Sequence, residues 1–321
     1  MIRPALSKLA EGTKLTVDLI NDIINRTEYS ADLLRQYKLI AGNGMYVEPH
    51  YDGTRVSYLQ PVAGGATPTQ PINAPYRIVG RATVAGITKG FLYNGSTFTD
   101  IFVPGSTATF AQGIDGLNIV GGATIGGVSR GFLYNGSTFT DIFVPGSTAT
   151  IAYGINGSSI VGLAVIGGVA RGFLYNGFIF TTFSAPSSTG TTAYGIDGSN
   201  IVGSASIGGV TRGFLYNGST FTDIFVPGST GTIAFGINGS NIVGVAITID
   251  GVNRGFLYNG STFTDIFVPG SAGTIADGID GSNIVGRATV AGITRGFLYD
   301  GSTFTDIFVP GSTGTFAQGI G

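Results

Sequence analysis

The sequence predicts an all-β protein: a six-bladed β-propeller with four-stranded blades closed by the C-terminal strand, preceded by a small α-helical oligomerisation and anchor segment. Three observations predict it. The block Gly-Phe-Leu-Tyr begins at Gly90, Gly131, Gly172, Gly213, Gly255 and Gly296, and Ile-Val-Gly begins at Ile78, Ile119, Ile160, Ile201, Ile242 and Ile284. Self-similarity at a period near 40 residues is the mark of a blade array. Asn-Gly and Asp-Gly dipeptides punctuate each unit, and they tolerate the positive φ that tight hairpins require. Finally, the two ends of the array are offset by one strand.

The unit reads as four strands. In the second unit these are Thr109–Ile114 before Asp115-Gly116, Asn118–Ala123 before Gly126-Gly127, Arg130–Tyr134 before Asn135-Gly136, and Ser137–Val144 before Pro145-Gly146. The first unit enters at Tyr76-Arg77-Ile78 without the Ala-x-Gly-Ile strand of its siblings, and that strand stands at Ala317–Ile320. The C-terminal strand is therefore expected to complete the first blade and hide the edge that would otherwise invite aggregation.

The pattern Ala-x-Gly-Ile, Ile-Val-Gly, Arg-Gly-Phe-Leu-Tyr over about residues 76–321 resembles the extracellular repeat family named for its His-Ala-Phe signature. Lys89, Arg130, Arg171, Arg212, Arg254 and Arg295 stand where that family has His. The resemblance implies a propeller and no reaction. A two-residue turn at Asn94-Gly95 would set Lys89 opposite Asp100, and the same count pairs Arg130, Arg212, Arg254 and Arg295 with Asp141, Asp223, Asp265 and Asp306. Such cross-strand ion pairs contribute about 0.2–1 kcal/mol each. Arg171 meets Thr182 instead and is left unpaired. Asn94, Asn135, Asn217 and Asn259 stand in Asn-Gly-Ser triplets that turn chemistry explains without a sugar.

Differences between near-identical units are informative. The residue before Gly-Ile runs Gln318, Gln112, Tyr153, Tyr194, Phe235, Asp277 around the ring, and the residue after Ile-Val-Gly runs Arg81, Gly122, Leu163, Ser204, Val245, Arg287. The outer strand of blade 3 is rewritten as Phe178-Ile179-Phe180-Thr181-Thr182-Phe183-Ser184. Two readings stand: drift at tolerant positions, or a ligand-binding face on blades 3 to 5 made by Tyr153, Tyr194, Phe235 and Arg171. On the second reading the aromatics are exposed, and Gln112 with Gln318 form an inert reference arc.

Residues 1–60 read as a helical anchor with a short hairpin, and 61–75 as a Gly/Pro/Thr-rich linker. Val17, Ile20, Ile24, Thr27, Ala31 and Leu34 form a heptad stripe on a helix from about Thr16 to Ile40. The stripe suits either a trimer seam or packing within a small domain. Met45–Glu48 and Thr54–Leu59 read as the hairpin. The stretch Arg26–Tyr37 through Tyr51–Arg55 resembles N-terminal attachment segments of tailed-phage fibre and head-decoration proteins. That resemblance implies a homotrimer docked on other virion proteins, with the β domain projecting outward.

Composition narrows the function. Only 11% of residues are charged and the formal net charge is -2, so nucleic acid is not an expected partner. With no Cys and one histidine, His50, neither a Cys/His metal site nor a cofactor is expected. The N-terminus lacks the apolar run of a signal peptide and no stretch suggests a membrane span, so assembly in a host cytoplasm is expected, without membrane insertion. Asp277 is the one acid among the variable inner positions, so no catalytic site is expected and the protein is read as a non-enzyme. The reading that unites these features is a virion attachment protein, tail-fibre-like, whose propeller binds a host surface glycan or receptor. The alternative is a purely structural virion protein, of baseplate or capsid decoration, that contacts only its own assembly.

Overall fold

The structure is a computed structural model that describes residues 45–50, 53–58 and 76–321. Met45–His50 and Gly53–Tyr58 form an antiparallel hairpin, with Met45 opposite Tyr58 and His50 opposite Gly53. The sequence reading places these two strands at Met45–Glu48 and Thr54–Leu59. The expected Thr16–Ile40 helix, its heptad stripe and the 61–75 linker lie outside the described residues.

From residue 76 onward the chain forms six four-stranded antiparallel sheets. Blade 1 runs, from the axis outward, Ser312–Ile320, Ile78–Val84, Ile87–Tyr93 and Phe98–Ile101. Blade 2 is Ala108–Asp115, Asn118–Ile125, Val128–Tyr134 and Phe139–Ile142. Blades 3 to 6 repeat this plan, beginning with inner strands Ala149–Asn156, Ser188–Asp197, Gly231–Asn238 and Gly273–Asp280. The C-terminal strand does close blade 1: Ile320 lies opposite Ile78, and Arg77 and Gly321 exchange two backbone hydrogen bonds of 2.7 and 3.0 Å.

The second strand explains the core. Sheets covered on both faces need apolar side chains at consecutive positions rather than at alternate ones. Ile-Val supplies one of each. Ile160 packs in its own blade against Phe173 and Ala164, with Val120 of blade 2, while Val161 packs into the cluster of blade 4. The adjoining glycine is required by a close approach. A Cβ on Gly121 would lie 1.9 Å from the Phe110 carbonyl oxygen and 2.8 Å from the Phe132 ring. The Phe of Gly-Phe-Leu-Tyr thus lies in the space that this glycine leaves empty. Six buried threonines at the inner strands tie the connectors: Thr109 Oγ1 accepts from the Val103 amide at 3.0 Å and lies 3.0 Å from Ser106 Oγ.

The third-to-fourth strand turn departs from expectation. Tyr93 pairs with Phe98 and Phe91 with Asp100, so the loop has four residues, not two. Asn94 causes this, because its Oδ1 accepts from the amides of Ser96 and Thr97 at 3.1 and 2.9 Å and holds both inside the turn. The ladder shifts by two, yet the ion pairs survive as diagonal neighbours on one face. Lys89 meets Asp100 at 2.6 Å and Arg254 meets Asp265 at 2.8 Å. Each cation also lies over a phenylalanine two residues past its aspartate, as with Arg130 4.2 Å above Phe143. The outer strand is shorter than expected, at four residues.

Gly121→Ala is expected to cost about 3 kcal/mol, since the clash is with backbone and a buried ring. Gly190→Ala is the matched control. Its Cβ would meet Ala170 at 3.6 Å, an ordinary contact, and should leave the melting temperature unchanged. Equal behaviour of the two variants in thermal melts would refute the close-approach account.

Candidate functional site

Each inner strand carries a β-bulge, and the extra residue is the variable one. In blade 2 the register shifts between Ala111 and Gly113, leaving Gln112 without a ladder partner. The same shift leaves out Tyr153, Tyr194, Phe235, Asp277 and Gln318. A bulge bends the strand and re-aims the extra side chain. All six of these residues line a cavity of about 330 Å³ at the centre of the ring, joined by Arg81 and Arg287 from the second strands.

The cavity wall is divided in two. Along one arc Tyr153 meets Tyr194 edge-on at 4.9 Å, and Tyr194 meets Phe235 likewise at 4.9 Å. Burial raises the phenol pKa of both tyrosines, so both remain neutral hydroxyls at any physiological pH. Along the other arc Gln318 donates to the Gln112 side-chain oxygen at 2.5 Å, and Arg287 donates to Asp277 at 2.7 Å. Asp277 is buried, and its second oxygen, Oδ2, has no hydrogen-bond partner among the described residues; neither has Gln318 Oε1.

Electrostatics follow from burial. Desolvation pushes the Asp277 carboxyl up to about 6, against the opposing pull of Arg287 and Arg81. Burial, then the neighbouring Arg287 cation, lowers Arg81 below an ordinary guanidinium, though such a group remains charged. Arg81 lies 4.5 Å above the Phe316 ring and 5.2 Å from that of Phe110. Its guanidinium forms no ion pair within the described residues.

The site residues expected from the sequence are therefore only partly together. Tyr153, Tyr194 and Phe235 form one continuous arc, but they are half-buried in the cavity wall rather than displayed on an exposed face. Gln112 and Gln318 are no inert reference, because they line the same cavity. Arg171 lies outside it, exposed on the third strand of blade 3. Among the described residues it forms no ion pair, as expected. Thr182 and Ser184 stand where its siblings have Asp and Phe, so both the ion pair and the ring contact are lost. Phe183 of that rewritten strand packs instead on Tyr216 of the next blade, ring centroids 5.2 Å apart.

Sequence reasoning missed Arg81 and Arg287. The signal was available in two arginines at a position where the other blades carry Gly, Leu, Ser and Val. What it lacked was the direction of those side chains. Among the described residues Asp277 is the one carboxylate on the cavity wall, so the cavity presents no carboxylate pair of the kind that cleaves glycosides. Among the described residues no cluster of three His, Cys, Asp or Glu could hold a metal.

No family model matches the chain, and no curated protein matches it. Among solved structures, it is similar to a chain of a nidogen/laminin complex at 11% identity, covering 76% of this chain and 97% of that one, with a TM-score of 0.54. It is similar also to a protein assigned as TolB from Agrobacterium tumefaciens at 12% identity, covering 76% and 92%, with a TM-score of 0.53. Both likenesses show the propeller fold and nothing finer. A further similarity is to the SapL1 lectin solved with α-methyl fucoside, at 15% identity over 74% of this chain and 97% of that one, with a TM-score of 0.48.

Asp277 gives this site a pH signature. The folded chain holds that proton up to about pH 6, the unfolded chain only up to about pH 4. Between those values the folded state binds more protons, so this group's contribution to stability falls as pH rises. Asp277→Asn abolishes that slope. Relative to the parent, the variant should gain on the order of 2–3 kcal/mol from about pH 3.5 to about pH 7.5, read from urea melts at both. A constant difference across that range would show that folding leaves the Asp277 pKa at its unfolded value, and a difference that shrinks as pH rises would show a carboxyl held below it.

Proposed function

We propose that this chain is a virion attachment protein whose propeller binds a host surface glycan, with the axial cavity as the place where one sugar unit seats. A single observation carries the reading. The bulge positions convert one rigid ring into a pocket with an aromatic wall, Tyr153–Tyr194–Phe235, facing a hydrogen-bonding wall of Asp277, Gln112, Gln318, Arg81 and Arg287. Sugars match that division. Their C–H faces pack on flat rings, while hydroxyls on the other side need donors and acceptors fixed in place.

The volume of about 330 Å³ is within the range of small-ligand pockets. The wall side chains are already ordered by one another, through the Tyr153–Tyr194–Phe235 ring contacts and the Gln318–Gln112 and Arg287–Asp277 hydrogen bonds, so little ordering free energy opposes binding. The virion setting rests on the N-terminal resemblance. An oligomer presenting several such pockets would bind a glycan-coated surface through avidity even where each site is weak.

The test is a glycan array probed with the full chain, followed by Tyr153→Gln with Tyr194→Gln. Gln is the residue that siblings carry at the same bulge, so the fold should be retained. Binding to a defined sugar class, weakened at least about tenfold by the tyrosine pair (roughly 1.4 kcal/mol or more), is the expected result. Phe178→Ser, at a side chain 90% exposed on the rim, should change nothing. A silent array together with tight binding to another protein of the particle would replace this reading with the structural one.

A further inference from the structure

The axial cavity contains three unmet demands, and together they specify more than a sugar. Asp277 Oδ2 and Gln318 Oε1 are buried acceptors without donors among the described residues. A buried polar atom left unpaired is destabilising, so each calls for an O–H or N–H from whatever fills the cavity. The third demand is of opposite sign. Arg287 is engaged by Asp277 at 2.7 Å, but Arg81 has no carboxylate partner among the described residues. It is drawn in over the Phe316 ring rather than released to solvent. Two guanidiniums face one carboxylate on this wall, leaving one positive charge unneutralised.

We infer that the ligand is an acidic saccharide, a sugar bearing one carboxylate, with Arg81 as the group that receives that carboxylate. The inference rests on the glycan reading above and narrows it. A guanidinium presents a planar fork that a carboxylate fills with two parallel hydrogen bonds. Within a largely desolvated wall, the attraction is screened far less than at a surface. The same molecule supplies hydroxyl donors for Asp277 Oδ2 and Gln318 Oε1, and a C–H face for Tyr153, Tyr194 and Phe235. A neutral sugar satisfies the acceptors and the rings but leaves Arg81 unpaired. A bare inorganic anion satisfies Arg81 and leaves the rest.

Position in the ring supports the assignment. Arg81 belongs to blade 1, whose bulge residue is the neutral Gln318, whereas Arg287 shares blade 6 with Asp277. The ion pair is thus local to one blade, and the second arginine is placed where its own blade offers no acid.

The experiment compares sugars that differ only in the acid group: D-glucuronate with D-glucose, and D-galacturonate with D-galactose, with N-acetylneuraminate as a third acid. Saturation-transfer NMR against the full chain reads weak binding directly. At least one acid should bind tenfold or more tightly than its neutral partner or than any neutral sugar tested. Arg81→Gln should erase that preference, and Arg81→Lys should keep part of it. Equal binding of acid and neutral partners by the parent chain overturns the acidic inference while leaving the glycan reading standing. Binding by no sugar of either kind, in solution or on the array, overturns both. If the acid preference persists in a folded Arg81→Gln, the carboxylate is received elsewhere and the assignment of Arg81 fails.

Discussion

The structure depends on how closely six inner strands can approach one another around an axis. At the residue after each bulge the backbones nearly touch. A Cβ on Gly113 would lie 2.6 Å from the Tyr153 carbonyl oxygen, one on Gly154 would lie 2.6 Å from that of Tyr194, and one on Gly319 would lie 2.7 Å from that of Gln112. No side chain fits there, so glycine recurs in every blade. That closeness leaves a cavity small enough to be lined from all sides. It also means that the bulge side chains of neighbouring blades must meet, which is why Tyr153, Tyr194 and Phe235 form a chain of edge contacts.

The bulge also separates two kinds of demand on the sequence. Residues within the ladders are held by packing on both faces, and the Ile-Val pairs, the buried threonines and the Gly-Phe interlock hardly vary between blades. The bulged residue has no partner strand to satisfy, so its chemistry is free to change without disturbing register. Variation is concentrated where the scaffold is indifferent and the cavity wall is formed. Gln318, Gln112, Tyr153, Tyr194, Phe235 and Asp277 are the product of that freedom. The wall of the axial cavity is made by those six side chains, joined by Arg81 and Arg287 from the strands behind them.

Blade 3 shows the same logic at the rim. Its outer strand has lost the aspartate and phenylalanine that hold the cation in five siblings, and Phe183 has gained a contact with Tyr216 of blade 4. The fold persists because exposed ion pairs contribute little, whereas apolar burial between blades contributes more. Phe178 and Ile179, in the turn of that strand, are exposed where siblings carry Ser and Thr.

The repeat was legible in the chain alone, since Gly-Phe-Leu-Tyr and Ile-Val-Gly at a fixed period imply identical units, and the strand at Ala317–Ile320 had one vacant place to fill. Local chemistry determined those features: apolar runs, turn dipeptides and period. The aromatic arc was legible too, but only as an order around the ring. Where it pointed was decided by tertiary structure, because a bulge shifts register without leaving a mark in composition, and one residue of shift turns a side chain from one side of a strand to the other. The turn at Asn94 went the same way. Its side chain captured two amides, lengthened the loop, and moved the ion pairs from opposite to diagonal. Arg81 and Arg287 were visible as oddities in a list of variable positions. Arg287 meets Asp277 inside blade 6, but bringing Arg81 of blade 1 to the same wall required the closed ring, because blades 1 and 6 become neighbours only when it closes.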